Sequence, residues 1–273
     1  MLFGMIPLAF ALSILLSYIP DFHARLARGM QRILHGIGTL FRRTAGEEAV
    51  HWAPAAFLLL TAALFCLAGG GLDAVHPLLP ALLIAPLLPL SDVIRAALDV
   101  REALEAGECT TEAEREAYEQ RIMDAVGTLA SRCARELFAP LLVATLLLPA
   151  GLAPAVFGTL YALRQLDGAW AWAKKANAAI VRFGEAVMIA CVIPTAALCG
   201  TEMGMAARAC RQGVKNVLLS AVGIDPARRS GHRPVTGDIS QSCLCVCVAL
   251  GLMYAVLAAA MVVIGACILQ TQK

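Results

Sequence analysis

Charge is scarce in this chain. Asp, Glu, Lys and Arg make up 15% of its 273 residues, hydrophobic residues make up 59%, and the mean hydropathy is +0.73. Soluble domains carry about a quarter charged residues, so an ordinary water-soluble fold is excluded. A net charge of +2 is too small to hold a polyanion, aromatics reach only 6%, and basic and aromatic residues are not interleaved. Nucleic acid is therefore excluded as a partner. The motifs of soluble enzymes are missing too: there is no phosphate-cradling glycine loop, no HExxH and no serine nucleophile elbow. Nor is there an internal repeat or a low-complexity segment. Cysteine, by contrast, is plentiful at 10. Cys66, Cys191, Cys199 and Cys267 lie inside apolar runs, where a free thiol behaves as a small hydrophobe. The alternating Cys243, Cys245 and Cys247 have no His or further Cys nearby to complete a four-ligand metal site, and on a helix they fan out around the axis. They read as apolar filler, and neither a metal ligand nor a catalytic residue is assigned.

What the chain has instead is long apolar sequence, organised around the stretch from Ser131 to Leu163. After Ala139-Pro140 it carries no charge until Arg164, yet Pro149, Gly151 and Pro154 interrupt it. Such a run belongs in lipid, but the proline-glycine cluster cannot be the middle of a straight helix. It predicts two short helices meeting in a tight turn.

Around this hairpin the chain reads as an all-α, polytopic integral membrane protein. It has about 4–6 transmembrane or re-entrant helices, with amphipathic helices at the interface. The run from Leu2 to Ile19 has the length of a span and lacks the charged start and cleavage site of a signal peptide. From Asp21 to Thr44, Arg25, Arg28, Arg32, Arg42 and Arg43 alternate with Phe22, Leu26, Met30, Ile33, Leu34, Ile37, Leu40 and Phe41 at helical spacing. That pattern gives an interfacial connector, with a nucleic-acid- or partner-binding helix as the functional alternative. A second span runs from Trp52 to about Ala68 and is expected to stop at Gly69-Gly70-Gly71. Pro77, Pro80, Pro86 and Pro89 make the third element irregular. Residues 91–135 read as a polar helical hairpin, with Thr110 or Thr111 capping its second arm. Its many carboxylates, Asp92, Asp99, Glu102, Glu105 and Asp124 among them, form a solvated face. Residues 164–184 are amphipathic, 185–200 form a short core or re-entrant helix interrupted by Pro194, and 201–241 form the main polar loop. A last transmembrane helix runs over 243–269.

Apart from Lys273, the lysines and arginines fall in four segments, 20–51, 92–136, 164–184 and 201–241. Placing all four in the cytoplasm satisfies the positive-inside tendency if the central stretch is a hairpin and 185–200 does not cross.

Three runs carry a family pattern: LEAGECTTEAEREAYEQRIMDAVGTLASRCARELFAPLL, LLPAGLAPAVFGTLYALRQLDG and RFGEAVMIACVIPTAAL. Their anchors are Ala139-Pro140-Leu141, the Pro-Ala-Gly turn and Ile193-Pro194. In order and spacing they resemble the CobD/CbiB cobalamin-biosynthesis membrane proteins and their relative AmpE, linked to β-lactamase induction. The resemblance is strongest over 75–205 and implies one membrane domain over 1–273, in the bacterial inner membrane. Synthase members of that family make an amide between aminopropanol and a corrinoid carboxylate, which implies Mg-ATP and acidic residues to hold it. Where those members carry a Glu-Asn pair and an Asp before the Ala-Pro anchor, this chain has Ser131, Arg132 and Arg135. Their Asn-Thr-Leu-Asp stretch falls around Tyr161, Ala162 and Leu163, with only Asp167 nearby, and acids expected ahead of Ile-Pro give way to a series ending in Ala190-Cys191. His76-Pro77 comes too late to serve as the family's early His-Pro. AmpE-like members share an arginine at the place of Arg135. The resemblance thus implies an accessory or regulatory protein without synthase chemistry; the alternative is a divergent adenosylcobinamide-phosphate synthase.

A small transporter fits less well, because Glu185 is the only borderline intramembrane charge. Partners are the bilayer and either an anionic ligand or another membrane protein. The expected ligand site lies at the mouth of the central hairpin, where Arg132, Arg135 and Arg164 need an anion or the acids Asp124, Glu136 and Asp167 to compensate them. For Arg135 the ordinary reading is an interfacial arginine snorkelling at a helix start.

Overall fold

The computed structural model describes residues 2–19, 21–107, 111–147, 152–166, 170–198, 201, 203–225 and 232–271. Among them the regular structure is all helical, with no strand. Four stretches have the length and composition to cross a membrane: Glu47–Val75, Ala81–Glu105, Ala171–Leu198 and Thr236–Ala260. The chain is a multi-span membrane protein.

Helix α1 (Leu2–Leu16) has 15 residues, about 22 Å at 1.5 Å per residue. That is short of the roughly 30 Å hydrocarbon core, so the expected span over Leu2–Ile19 is corrected to a shorter apolar helix. It ends where the Ser17 hydroxyl turns back to the Ile14 carbonyl at 2.7 Å. Helix α2 (Phe22–Ala45) is the amphipathic element expected. Helix α3 (Ala53–Val75) runs straight through Gly69-Gly70-Gly71, against expectation. Glycine weakens a helix by about 1 kcal/mol in water, but in lipid an interrupted ladder leaves backbone groups with no water to bond, and the helix continues.

The proline-rich segment is irregular as expected: α4 (Ala81–Ile84) passes through a 3₁₀ turn (Ala85–Leu87) into α5 (Leu90–Glu105). Helix α6 (Glu112–Cys133) starts on a capping box: the Thr111 hydroxyl accepts from Glu114 N–H at 3.2 Å, and the Glu114 carboxylate accepts from Thr111 N–H at 3.0 Å. A π turn (Ala134–Phe138) follows, then α7 (Ala139–Leu147) and α8 (Ala153–Gln165). With 9 and 13 residues, these two are about 14 and 20 Å long, each shorter than a span. The turn expected between them, at 148–151, lies outside the described residues.

Helix α9 (Ala171–Leu198) overturns the division at residue 185: it is one helix of 28 residues that passes Pro194 unbroken. Its buried stripe, Ala173, Asn177, Gly184, Met188, Val192 and Thr195, recurs every three, four or seven positions along the whole length. The change in polarity near 184 moves the surroundings of the helix, not its period. Length therefore no longer argues that 185–200 fails to cross. Then come α10 (Met203–Ala209), α11 (Val214–Ala221) and α12 (Thr236–Thr271), the last beginning seven residues ahead of the expected 243.

The chain forms two compact units. The first comprises Met1–Ser91 and Pro140–Ile180. Here α8 lies along α3, and the Phe65 ring fills the place a side chain would need at Gly158. Phe57, Ala162, Leu163, Leu166 and Ala173 form its buried cluster, and the Asn177 amide donates to the Leu163 carbonyl at 3.1 Å, closing the end of α8. The second unit comprises Asp92–Ala139 and Val181–Lys273. In it α6 packs on α11 and α12, burying Ile122, Val126, Leu129 and Cys133 at helical spacing. The Arg101 guanidinium donates to Ser240 Oγ at 2.8 Å and ties α5 to α12.

Candidate functional site

Asp124 and Arg132 line one cavity of about 280 Å³ between α5 and α6. Its walls are otherwise small and apolar (Val93, Ala97, Ala125, Leu129), and Arg121 stands at the end nearer the start of α6. Asp124 is not free in it. Lys215 Nζ, from α11, donates to its Oδ1 at 2.9 Å, and the Gln120 amide donates to the same oxygen at 3.0 Å. These two bonds, Lys215 first, hold the Asp124 carboxyl below its ordinary value. Gly127, one turn on, makes the pairing feasible. The Lys215 stem lies across it so closely that a Cβ there would meet Cδ at 2.7 Å.

Arg135 and Arg132 converge on Glu136. Arg135 Nη2 donates to Glu136 Oε1 at 2.9 Å, and Arg132 Nη2 lies 3.6 Å from Oε2. Glu136 is buried, at 8% exposure, so the two guanidiniums hold a carboxylate largely withdrawn from water. The group sits on the π turn, which precedes a proline with no N–H to offer the carbonyl four residues back. There the Ala139 N–H bonds the Ala134 carbonyl, five residues away. Gly184 of α9 lies against that same carbonyl: a Cβ at 184 would be 2.1 Å from the oxygen.

Of the residues expected at the site, the structure thus places Asp124 and Arg132 on one cavity and joins Arg135 to Arg132 through Glu136. Arg164 is in the last turn of α8, in the first unit, and Asp167 lies outside the described residues. Arg121 and Lys215 were not anticipated. Arg121 lies one helical turn from Asp124 and was legible as a neighbour, whereas Lys215 is 91 residues away and had no local signal.

A second cavity of about 490 Å³ opens beside the start of α6. Arg233 reaches Glu112 and Glu119, each at 3.9 Å, and Arg115 and Tyr118 complete its polar wall. Asp238, buried in the first turn of α12, accepts from Val235 N–H at 2.7 Å and meets His232 Nε2 at 2.8 Å. Here opposite charges satisfy one another, and the result is a clamp holding 232–235 between α6 and α12.

Among the described residues no three His, Cys, Asp or Glu side chains gather as a metal site. In the CxCxC run, Cys245 is buried with its thiol 3.4 Å from Thr195 Oγ1, whereas Cys247 is exposed. Comparison with protein-family models, curated proteins and solved structures finds no match.

Proposed function

We propose that this chain is an accessory or regulatory inner-membrane protein of the CobD/CbiB–AmpE type that does not carry out synthase chemistry, and that its α5–α6 cavity receives an anionic group. The observation that carries the reading is Glu136 clasped by Arg132 and Arg135. A magnesium ion bound there would face two guanidiniums around one carboxylate, and it would have to displace both to gain a single ligand. The cavity itself suits an anion: Arg132 and Arg121 both line it, and Asp124 on its wall is already engaged by Lys215. Apolar walls between them favour a ligand with a hydrophobic body.

The test is complementation of a bacterial strain lacking adenosylcobinamide-phosphate synthase. Expression of the full chain, verified in the membrane fraction, should leave cobalamin production absent. Restored production would overturn the proposal in favour of the divergent synthase.

A further inference from the structure

The arginine face of α2 was not needed for that reading, and it has its own chemistry. Arg25, Arg28 and Arg32 are exposed along successive turns of one face and make no ion pair among the described residues; Arg42, further along, meets exposed Glu47 at 3.5 Å. No residue of α2 is buried. The opposite side is apolar and divided. Met30, Leu34 and Ile37 rest on the cluster of Phe57, Leu163 and Leu166, while Ile33 and Leu40 on the neighbouring flank are 50% and 59% exposed.

The height of α2 relative to the bilayer follows from the chain. The candidate span beginning at Glu47 follows α2 almost at once, and Trp52, 68% exposed at the start of α3, is the kind of ring that sits at the headgroup level. Phe57, on which α2 rests, is within the first turns of that span. The helix therefore lies at the level where acyl chains begin. Ile33 and Leu40 can reach those chains, while the arginines stand among the headgroups.

We infer that α2 is a binding surface for anionic phospholipid headgroups, with Arg25, Arg28 and Arg32 as its phosphate-contacting residues and the bare Ile33–Leu40 flank covered by acyl chains. Guanidinium forks suit phosphate oxygens, and in this stretch the only acid is Asp21, at its start. Zwitterionic headgroups also carry phosphate, but their cationic ends cancel the field. The surface therefore discriminates by net charge. Each arginine near an anionic surface contributes about a fivefold gain in association, so the three together give on the order of 100-fold. The inference is independent of whether the chain is a synthase.

The experiment uses the full chain in nanodiscs of phosphatidylcholine alone, or of equal parts phosphatidylcholine and phosphatidylglycerol, with amide hydrogen exchange read over residues 22–45. Exchange should slow at least tenfold in the anionic discs, and this gain should disappear in the triple variant Arg25→Gln, Arg28→Gln, Arg32→Gln. The variant Ile33→Ser should instead speed exchange by a similar factor in both compositions. Equal exchange of the natural chain in the two compositions overturns the inference, as does a triple variant that keeps the full gain. Inorganic phosphate added to phosphatidylcholine discs should have no effect; if it reproduces the slowing, the arginines bind free phosphate and the lipid assignment fails.

Discussion

Gly184→Ala puts the packing at the π turn to a direct test. The added methyl carbon would stand 2.1 Å from the Ala134 carbonyl oxygen, 2.8 Å from its carbon and 3.0 Å from Ala139 Cβ. Carbon–oxygen contacts close in at about 3.3 Å, so the two backbones must separate by about 1 Å. Neither obstacle is a side chain that can rotate away. The Ala134 carbonyl also accepts the Ala139 N–H, and moving it strains the turn that carries Arg135 and Glu136. Overpacking of a filled core costs about 1–3 kcal/mol, and rigid backbone on both sides places this case near the top of that range. At about 2–4 °C per kcal/mol, the midpoint of thermal unfolding should fall by about 6–12 °C. The assay is loss of helical circular dichroism of the purified chain in detergent. Gly70→Ala is the control, because nothing lies within 4 Å of a Cβ built there. It should be neutral or slightly stabilising, since alanine favours a helix by about 1 kcal/mol over glycine. A Gly184→Ala midpoint matching that of Gly70→Ala would refute the close approach of α9 to the π turn.

Two further outcomes follow from the second unit. Because the Asp124 carboxyl is held below its ordinary 3.8 by Lys215, the bond between α6 and α11 is present at neutral pH and is lost as pH falls through the lowered value. Hydrogen exchange of Val214–Ala221 should therefore accelerate only on strong acidification, and Asp124→Asn should abolish that acid-dependent step; an unchanged step in the variant would show that another group controls it. Lys215–Asp124 and Arg233–Glu112 also fix the segment carrying exposed Cys210 on the same side as the start of α6. With Arg115, Arg121, Arg208 and Arg211 on these segments, the positive-inside tendency predicts a cytoplasmic placement for that side. An impermeant thiol reagent should then leave Cys210 unmodified in intact cells and label it in inverted vesicles; labelling from outside would reverse the orientation.

Features set by neighbours in sequence were legible. Thr111 caps α6 because a hydroxyl followed three residues later by Glu114 suffices for the box, wherever the helix lies. The arginine periodicity of α2 and the irregularity imposed by Pro77, Pro80, Pro86 and Pro89 are likewise local. The errors came from applying local rules in the wrong surroundings. Gly69-Gly70-Gly71 was read as a stop because glycine frays helices in water, whereas in lipid the unbroken backbone ladder takes precedence. Residue 185 was read as a boundary because polarity changes there, although the buried stripe of α9 keeps its spacing through it.

The site was legible as charge but not as pairing. Sequence placed Arg132 and Arg135 ahead of the Ala-Pro anchor, and charge counting then required compensation from Asp124, Glu136 or Asp167. Which acid answers depends on where the chain returns, and that is long-range information. Asp124 pairs with Lys215 from α11, so its charge is not available to the arginines. Glu136 is the acid that meets both Arg132 and Arg135. The mutual repulsion expected of the arginines is thus relieved at Glu136, while Arg132 and Arg121 both stand on the cavity wall. A cavity built to hold magnesium would need free carboxylates where Arg121 and Arg132 stand. With Asp124 engaged by Lys215, the proposed preference of the cavity for an anion over a metal ion rests on Arg121 and Arg132.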